Sequence, residues 1–195
     1  MNYLAHLYLS SHSDQALLGS LLGDFIKGHA YNQYNDEIKH NILLHRKIDS
    51  FTDRHIKDLC SRNMLLPSRR RFAGIIVDVC YDHFLIKHWS SFAEDDFHEF
   101  VSNAYKVLQT NQQLLPSRLQ NILPLMVREN WLFSYKDIAG VEKALNRIST
   151  RLKRENALSG PIEELHNRYG GFEEEFLNFF PKLIKYVEQY SISTN

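Results

Sequence analysis

The sequence lacks the features that mark several classes of protein. It has only two cysteines, Cys60 and Cys80, in 195 residues. That is too few for a disulfide framework, so we predict a reducing, cytoplasmic location. Lys and Arg together number 23, as do Asp and Glu, and such a balance argues against a nucleic-acid partner recognised by phosphate neutralisation. No apolar run has the length of a membrane span, and residues 1–14 lack the basic segment of a signal peptide.

The residues that are present follow helical patterns. Hydrophobic residues make up 44% and charged residues 24% of the chain, as in ordinary globular domains. Helix-capping residues such as Ser13 and Asp137 precede apolar residues at helical spacing, and a capping box is predicted at Ser91–Glu94. Clean alternation, the pattern of strands, is not found. We therefore predict one all-α domain over residues 1–195, without a nucleic-acid or membrane partner. A homo-oligomer is compatible with the sequence.

Polar residues interrupt the apolar face of the predicted helix that begins near Asp36. His45 and Asp49 are one turn apart, so their side chains can converge on one point. Ile38 and Ile42 continue the same stripe with apolar side chains. This pattern indicates an imidazole and a carboxylate directed toward the core.

The next predicted helix repeats this feature in the most apolar stretch of the chain, from Phe72 to Trp89. Asp78 and Asp82 share one face, and His83 is adjacent. Each alone fits a core histidine or a buried ion pair, but buried polar groups on two helices together favour a metal or catalytic site. Oxygen and nitrogen donors without thiolates suit Mn²⁺, Mg²⁺, Fe²⁺ or Zn²⁺.

Two further residues are candidates with open alternatives. Asp24 lies among Gly19, Gly23 and Gly28. Glycines that destabilise a helix are tolerated where another backbone or a ligand comes close. The alternative is tight helix packing beside a solvated Asp24. His6 lies in an apolar, aromatic segment and alone fits a hydrogen-bonded core histidine.

A basic run, Arg69, Arg70 and Arg71, opens the helix that carries Asp78. Positive charge at a helix N-terminus opposes the helix dipole, so helix electrostatics does not explain it. It fits either a solvated, salt-bridged surface or an anion site beside the predicted metal.

Four segments together resemble one known family. They are MNYLAHLYLS at the start of the chain, GxxxGDFIKG at Gly19–Gly28, HRKIDSFTDRH at His45–His55 and RRFAGIIVDVCYDHFL at Arg70–Leu85. As an ordered set they are similar to the acyl carrier protein phosphodiesterase family. That family is a remote relative of the all-helical HD-type metal phosphohydrolases. The HD signature, His then Asp, is reversed in this chain as Asp82–His83, so the resemblance rests on the four longer segments.

The resemblance implies a fold, an activity and a site. The fold would be an HD-phosphohydrolase-like helical bundle. The activity would be hydrolysis of holo-acyl carrier protein, an acidic partner, to apo-protein and 4′-phosphopantetheine with a divalent metal, Mn²⁺ foremost. By the resemblance, Asp24 is an active-site residue. From the polar residues themselves we predict the catalytic residues Asp24, Asp78 and Asp82. We predict metal ligands from a subset of His6, Asp24, His45, Asp49, Asp82 and His83, and a partner or phosphate contact at Arg69, Arg70 and Arg71.

Three other interpretations of the polar helices stay open at the level of sequence. The first is an HD-like phosphohydrolase that acts on another phosphoester. The second is a different helical metalloprotein, such as a carboxylate-bridged di-iron bundle, and the third is a non-catalytic helical adaptor whose core holds paired polar groups.

Overall fold

The structure, a computed structural model, describes residues 1–11, 13–61, 67–152, 158 and 162–194. These residues form α-helices joined by turns and short 3₁₀ segments, without a strand among them. The prediction of an all-α fold is confirmed. None of the helices in this part of the chain combines the length and the apolarity that crossing a bilayer demands.

The α-helices succeed one another along the chain with mostly short connections. In chain order they are α1 Tyr3–Leu9, α2 Asp14–Leu22, α3 Asp36–Ser61, α4 Ala73–Lys87, α5 Trp89–Phe92, α6 Phe97–Thr110, α7 Ser117–Arg128, α8 Trp131–Ser134, α9 Ile138–Ser149, α10 Ile162–Asn167 and α11 Tyr169–Thr194. Residues Pro67–Phe72 form a 3₁₀ helix that leads into α4.

The first residues of the helices can be compared with the capping residues that the sequence predicts. The Ser13 side chain accepts a hydrogen bond from Ala16 N at the start of α2, and Asp137 caps α9 in the same way, so both predictions are confirmed. The prediction of a capping box at Ser91–Glu94 is wrong, because Ser91 lies inside α5. Helix α6 is instead capped by Asp96, whose Oδ1 accepts from two backbone N–H groups of the first turn, as a short carboxylate at this position does well.

Helix α4 lies at the centre of the fold. It contacts α1, α3, α9 and α11, and its apolar residues, such as Ile76, Val77 and Leu85, are fully buried. A helix buried on nearly every side needs apolar residues all round, which explains why no polar face can be seen in its sequence. Polar residues of α4 are therefore forced to find partners inside the protein.

Helix α2 packs along α3 at very short range. A Cβ atom added to Gly19 would lie 2.4 Å from the carbonyl oxygen of Ile38. The glycine is therefore required for backbone approach, as the sequence predicts for this segment. This packing brings the end of α2 beside the polar stripe of α3.

Candidate metal centre

Three side chains from two helices meet at one point. Nε2 of His6, on α1, lies 3.0 Å from Oδ1 of Asp49, on α3. Nε2 of His45, one turn before Asp49, lies 3.2 Å from the second carboxylate oxygen, Oδ2. One ligand atom from each residue lies within 4.8 Å of the others. Across the described residues, no other His, Cys, Asp and Glu side chains form a group of three with this spacing.

The two imidazole rings of this cluster are buried and stacked. Their centroids are 3.6 Å apart and their planes differ by 14°. Burial and the charge of His45 lower the pKa of His6 to about 4. Burial also lowers the pKa of His45, but hydrogen bonds to Asp24 and Asp49 outweigh it and raise the pKa to about 9. Without a metal, the pair therefore holds one positive charge, on His45.

A hydrogen bond at Nδ1, the ring nitrogen that does not face the carboxylates, fixes the orientation of His45. Its Nδ1 donates a hydrogen bond to the backbone carbonyl of Ser20, at 2.7 Å. Because a carbonyl only accepts, Nδ1 carries a proton and Nε2 is the edge presented to the carboxylates. Metal-binding histidines are commonly held in this way, with the other ring nitrogen donating to a carbonyl.

Gly23 makes room for the His45 ring. A Cβ atom built on Gly23 would lie 2.1 Å from Cγ of His45, far inside van der Waals contact. The residue has ordinary right-handed backbone angles, so space rather than backbone conformation requires glycine here. The glycine pattern around Asp24 therefore reflects close approach of a site residue.

Asp24 follows Gly23, in the turn after α2. Its Oδ1 lies 3.5 Å from Nε2 of His45, and its side chain is 41% exposed. Burial raises the pKa of Asp24, but the hydrogen bond with His45 outweighs it, and the pKa is lowered overall. Asp24 is thus an ionised carboxylate beside the cluster that solvent can reach.

Asp49 joins the two histidines through its two carboxylate oxygens. Burial raises its pKa, yet hydrogen bonds from His45 and His6 more than offset this, so the pKa lies well below its usual range. The carboxylate therefore stays ionised and can serve as a metal ligand.

Asp78 reaches the edge of the cluster from α4. Its Oδ1 lies 2.9 Å from the amino nitrogen of Met1, and the same nitrogen lies 3.3 Å from Oδ1 of Asp49. Burial raises the pKa of Asp78, opposed by this positive charge. A cationic group therefore separates two carboxylates that would otherwise repel each other.

The donor set fits a divalent cation. Two imidazoles and one or two carboxylates converge without thiolates, which suits Mn²⁺, Mg²⁺, Fe²⁺ or Zn²⁺. Nε2 of His45 is presented to two carboxylates at 3.2 and 3.5 Å. When that nitrogen is unprotonated, lone pairs face one another there, and a cation would relieve the repulsion.

The comparisons with known proteins agree with the resemblance of the sequence. The family model described as acyl carrier protein phosphodiesterase matches residues 1–183. The chain belongs to this family. Relatives named acyl carrier protein phosphodiesterase include one from Pectobacterium atrosepticum, 34% identical over 95% of this chain and 96% of the relative. Another, from Photorhabdus laumondii, is 32% identical over 96% of both chains. No solved structure gives a significant match.

The structure does not bring all the residues of the family segments to the metal centre. Asp82 is fully buried, and its two carboxylate oxygens each accept a hydrogen bond of 3.0 Å, from the backbone N–H groups of Leu4 and Ala5. Both N–H groups belong to the first turn of α1, where a carboxylate is favoured. Asp82 therefore fixes the helix that carries His6.

His83 lies on another side of α4. Its Nδ1 donates to the carbonyl of Tyr135, and its Nε2 accepts from the Tyr169 hydroxyl, each at 2.8 Å. With both ring nitrogens occupied, His83 has no edge directed at the cluster. The open alternative of a hydrogen-bonded core histidine describes its position.

The remaining candidates lie outside the cluster. Arg69, Arg70 and Arg71 lie in the 3₁₀ helix Pro67–Phe72, and the Arg71 guanidinium lies 4.5 Å from the Phe72 ring centroid. His55, the last residue of the family-like segment His45–His55, contacts the Tyr81 hydroxyl at 2.8 Å through Nε2. None of these contacts connects the residues to His6, His45 or Asp49.

Proposed function

We propose that this protein hydrolyses the phosphodiester that links 4′-phosphopantetheine to a serine of holo-acyl carrier protein. Membership of the family and the names of the relatives support the substrate. The observation that carries the proposal is the joined cluster of His6, His45 and Asp49, with the accessible carboxylate of Asp24 beside it. A phosphodiester carries a negative charge that repels hydroxide. A divalent cation held by such a cluster would offset this repulsion.

The proposed cofactor is a divalent metal, with Mn²⁺ preferred. His6, His45 and Asp49 would hold it, and Asp24 is placed to join them. A divalent cation bound here would polarise the phosphoryl oxygens and lower the pKa of water.

The protein's own groups supply orientation and proton transfer. The Ser20 carbonyl holds the His45 ring in one tautomer, and Asp49 fixes the positions of both imidazoles. We assign to Asp24 the role of accepting a hydrogen bond from the attacking water, because it is ionised and exposed beside the cluster. Asp78 contributes a carboxylate at the edge of the cluster that it reaches from α4.

Other parts of the sequence prediction enter the proposal in changed roles. We propose that Asp82 and His83 position α1 and α4 rather than contact the metal, since their polar atoms have partners elsewhere. The arginine run from Arg69 to Arg71 stays proposed as an anion contact. We also propose that residues 1–195 form one cytoplasmic, HD-like catalytic domain.

Asp24→Asn tests the proposed site. It removes the charge of an exposed side chain and preserves its shape, so we expect little loss of stability and a loss of hydrolysis of roughly 100-fold or more. Asp14→Asn, an exposed acidic residue in the first turn of α2, is the matched control and should retain activity. Holo-carrier protein with Mn²⁺ is the substrate for both. Near-normal turnover by folded Asp24→Asn would contradict the assignment.

A further inference from the structure

Arginines lie over aromatic rings at two places in the fold, one of them the ring that follows Asp24 in sequence. The guanidinium carbon of Arg118, at the start of α7, lies 5.8 Å from the ring centroid of Phe25. Phe25 directly follows Asp24, and its ring stacks on Tyr3 with centroids 6.5 Å apart. A positive charge therefore lies over the aromatic pair that borders the metal centre.

Two more guanidinium groups share a single indole ring. Arg147, on α9, lies 3.8 Å from the Trp131 ring centroid, and Arg151, just beyond α9, lies 5.5 Å from it. Trp131 is buried at the start of α8, a helix that packs against both α7 and α9. The indole holds two like charges near one another in a fixed arrangement.

The helices themselves do not account for this positive charge. Arg118 is in the first turn of α7, where the helix dipole disfavours a cation. Arg147 and Arg151 lie over the same indole ring, so their like charges are held close together. Arg147 has partial compensation from Glu129, at 3.6 Å. Within the described part of the chain, neither Arg118 nor Arg151 has a carboxylate within 4.0 Å.

The charge of all three guanidinium groups is felt at Tyr3, on the helix that carries His6. Burial and the Asp24 carboxylate raise the pKa of the Tyr3 hydroxyl, to about 12, whereas Arg151, Arg118 and Arg147 oppose this rise. Tyr3 precedes His6 by about one turn of α1. Arg118 lies over the ring that follows Asp24 in sequence, and α8, which carries the Trp131 ring under the other two arginines, packs against α7, which carries Arg118.

We propose that Arg118, Arg147 and Arg151, which we call the arginine patch, form the surface on which the negatively charged carrier protein docks with its phosphodiester toward Asp24. The inference rests on the proposed function. Because the chain has zero net charge, its overall field cannot attract an acidic partner, and a local patch must do so. The arginine patch is distinct in sequence from Arg69–Arg71, and one of its members, Arg118, lies over the ring of Phe25, the residue after Asp24.

The test is the double variant Arg118→Gln/Arg151→Gln, which leaves the stacking of the half-buried Arg147 on Trp131 in place. We expect the KM for holo-carrier protein to rise roughly tenfold at low salt, and its increase with added salt to become shallower. Arg118→Lys/Arg151→Lys retains the charges and should recover most of the lost affinity. Lys182→Gln/Lys185→Gln, which removes two exposed charges from α11, is the control for net charge and should change KM less than about twofold. Thermal melting confirms that each variant is folded.

The outcomes separate the two proposals. If the wild-type protein hydrolyses holo-carrier protein and the glutamine variant keeps its KM and salt dependence, docking on the arginine patch is overturned and the proposed function stands. An equal effect of the α11 control would also overturn it, because net charge would then be the cause. If the wild-type protein neither hydrolyses nor binds the carrier protein, the proposed function fails, and the docking proposal fails with it.

Discussion

Gly23→Ala should disturb the proposed metal centre by the addition of a single methyl group. The added Cβ would lie 2.1 Å from Cγ of His45 and 2.5 Å from its Cβ and Cδ2. Because the clash involves the atoms nearest the backbone of α3, rotation of the side chain alone cannot relieve it. Either α2 moves away from α3 or the His45 ring leaves its position against the Ser20 carbonyl.

The size of the effect follows from the contacts involved. Overpacking of this kind costs about 1–3 kcal/mol, and loss of the hydrogen bond to Ser20 adds about 1 kcal/mol. Replacing glycine by alanine returns up to about 1 kcal/mol through the unfolded chain. We therefore expect the free energy of unfolding to fall by about 1–3 kcal/mol. A catalytic group displaced by about 1 Å costs roughly 100-fold in rate.

Gly74→Ala is the matched control for this prediction. A Cβ on Gly74, in α4, meets no atom within 4 Å, so this variant should be as stable as the wild type or more so. Mn²⁺ affinity by calorimetry, melting temperature and turnover of holo-carrier protein are measured for both. If Gly23→Ala binds Mn²⁺ and turns over like the wild type, the role of Gly23 in placing His45 is refuted.

Three further predictions concern the metal and the support of its ligands. Bound Mn²⁺ should raise the melting temperature relative to protein in excess chelator, because a ligand of the native state stabilises it; equal values at verified occupancy would count against a metal centre. The pKa of His45, raised to about 9 in metal-free protein, implies stabilisation that is present below about pH 6.5 and lost as the pH rises through about 9. Apparent Mn²⁺ affinity, measured by calorimetry, should increase over the same interval as His45 loses its proton, and a flat profile would exclude His45 as a ligand. Asp82→Asn places an amide donor against Leu4 N–H or Ala5 N–H and should cost about 1–3 kcal/mol of stability, measured by denaturant unfolding; unchanged stability would remove its assigned role.

Sequence periodicity was sufficient to predict the helical class and two of the three residues of the cluster. His45 and Asp49 are one turn apart on one helix, so their convergence follows from helix geometry alone. The sequence also indicated that another group approaches the backbone near Gly23, because glycine destabilises a helix and is tolerated where space is short. The partner that approaches it, His45, becomes visible only when α2 is placed against α3.

The buried polar residues of α4 show where this reasoning fails. Periodicity identifies Asp82 and His83 as inward-facing, which is correct, since both are buried. It cannot distinguish a metal from a helix N-terminus or a tyrosine hydroxyl as the partner, because these come from segments distant in sequence. Likewise no local signal marks the Ser20 carbonyl as the partner of His45, or Phe25 as the ring under Arg118, because both contacts form only through tertiary packing.

The intact mass of the carrier protein tests the central claim most directly. Purified holo-acyl carrier protein is incubated with the full chain and Mn²⁺, and in parallel with excess chelator, and both are examined by mass spectrometry. We predict that the carrier protein loses one 4′-phosphopantetheine, that free 4′-phosphopantetheine appears, and that chelator prevents both changes. An unchanged holo-carrier mass with folded protein and verified Mn²⁺ occupancy would contradict the proposed function.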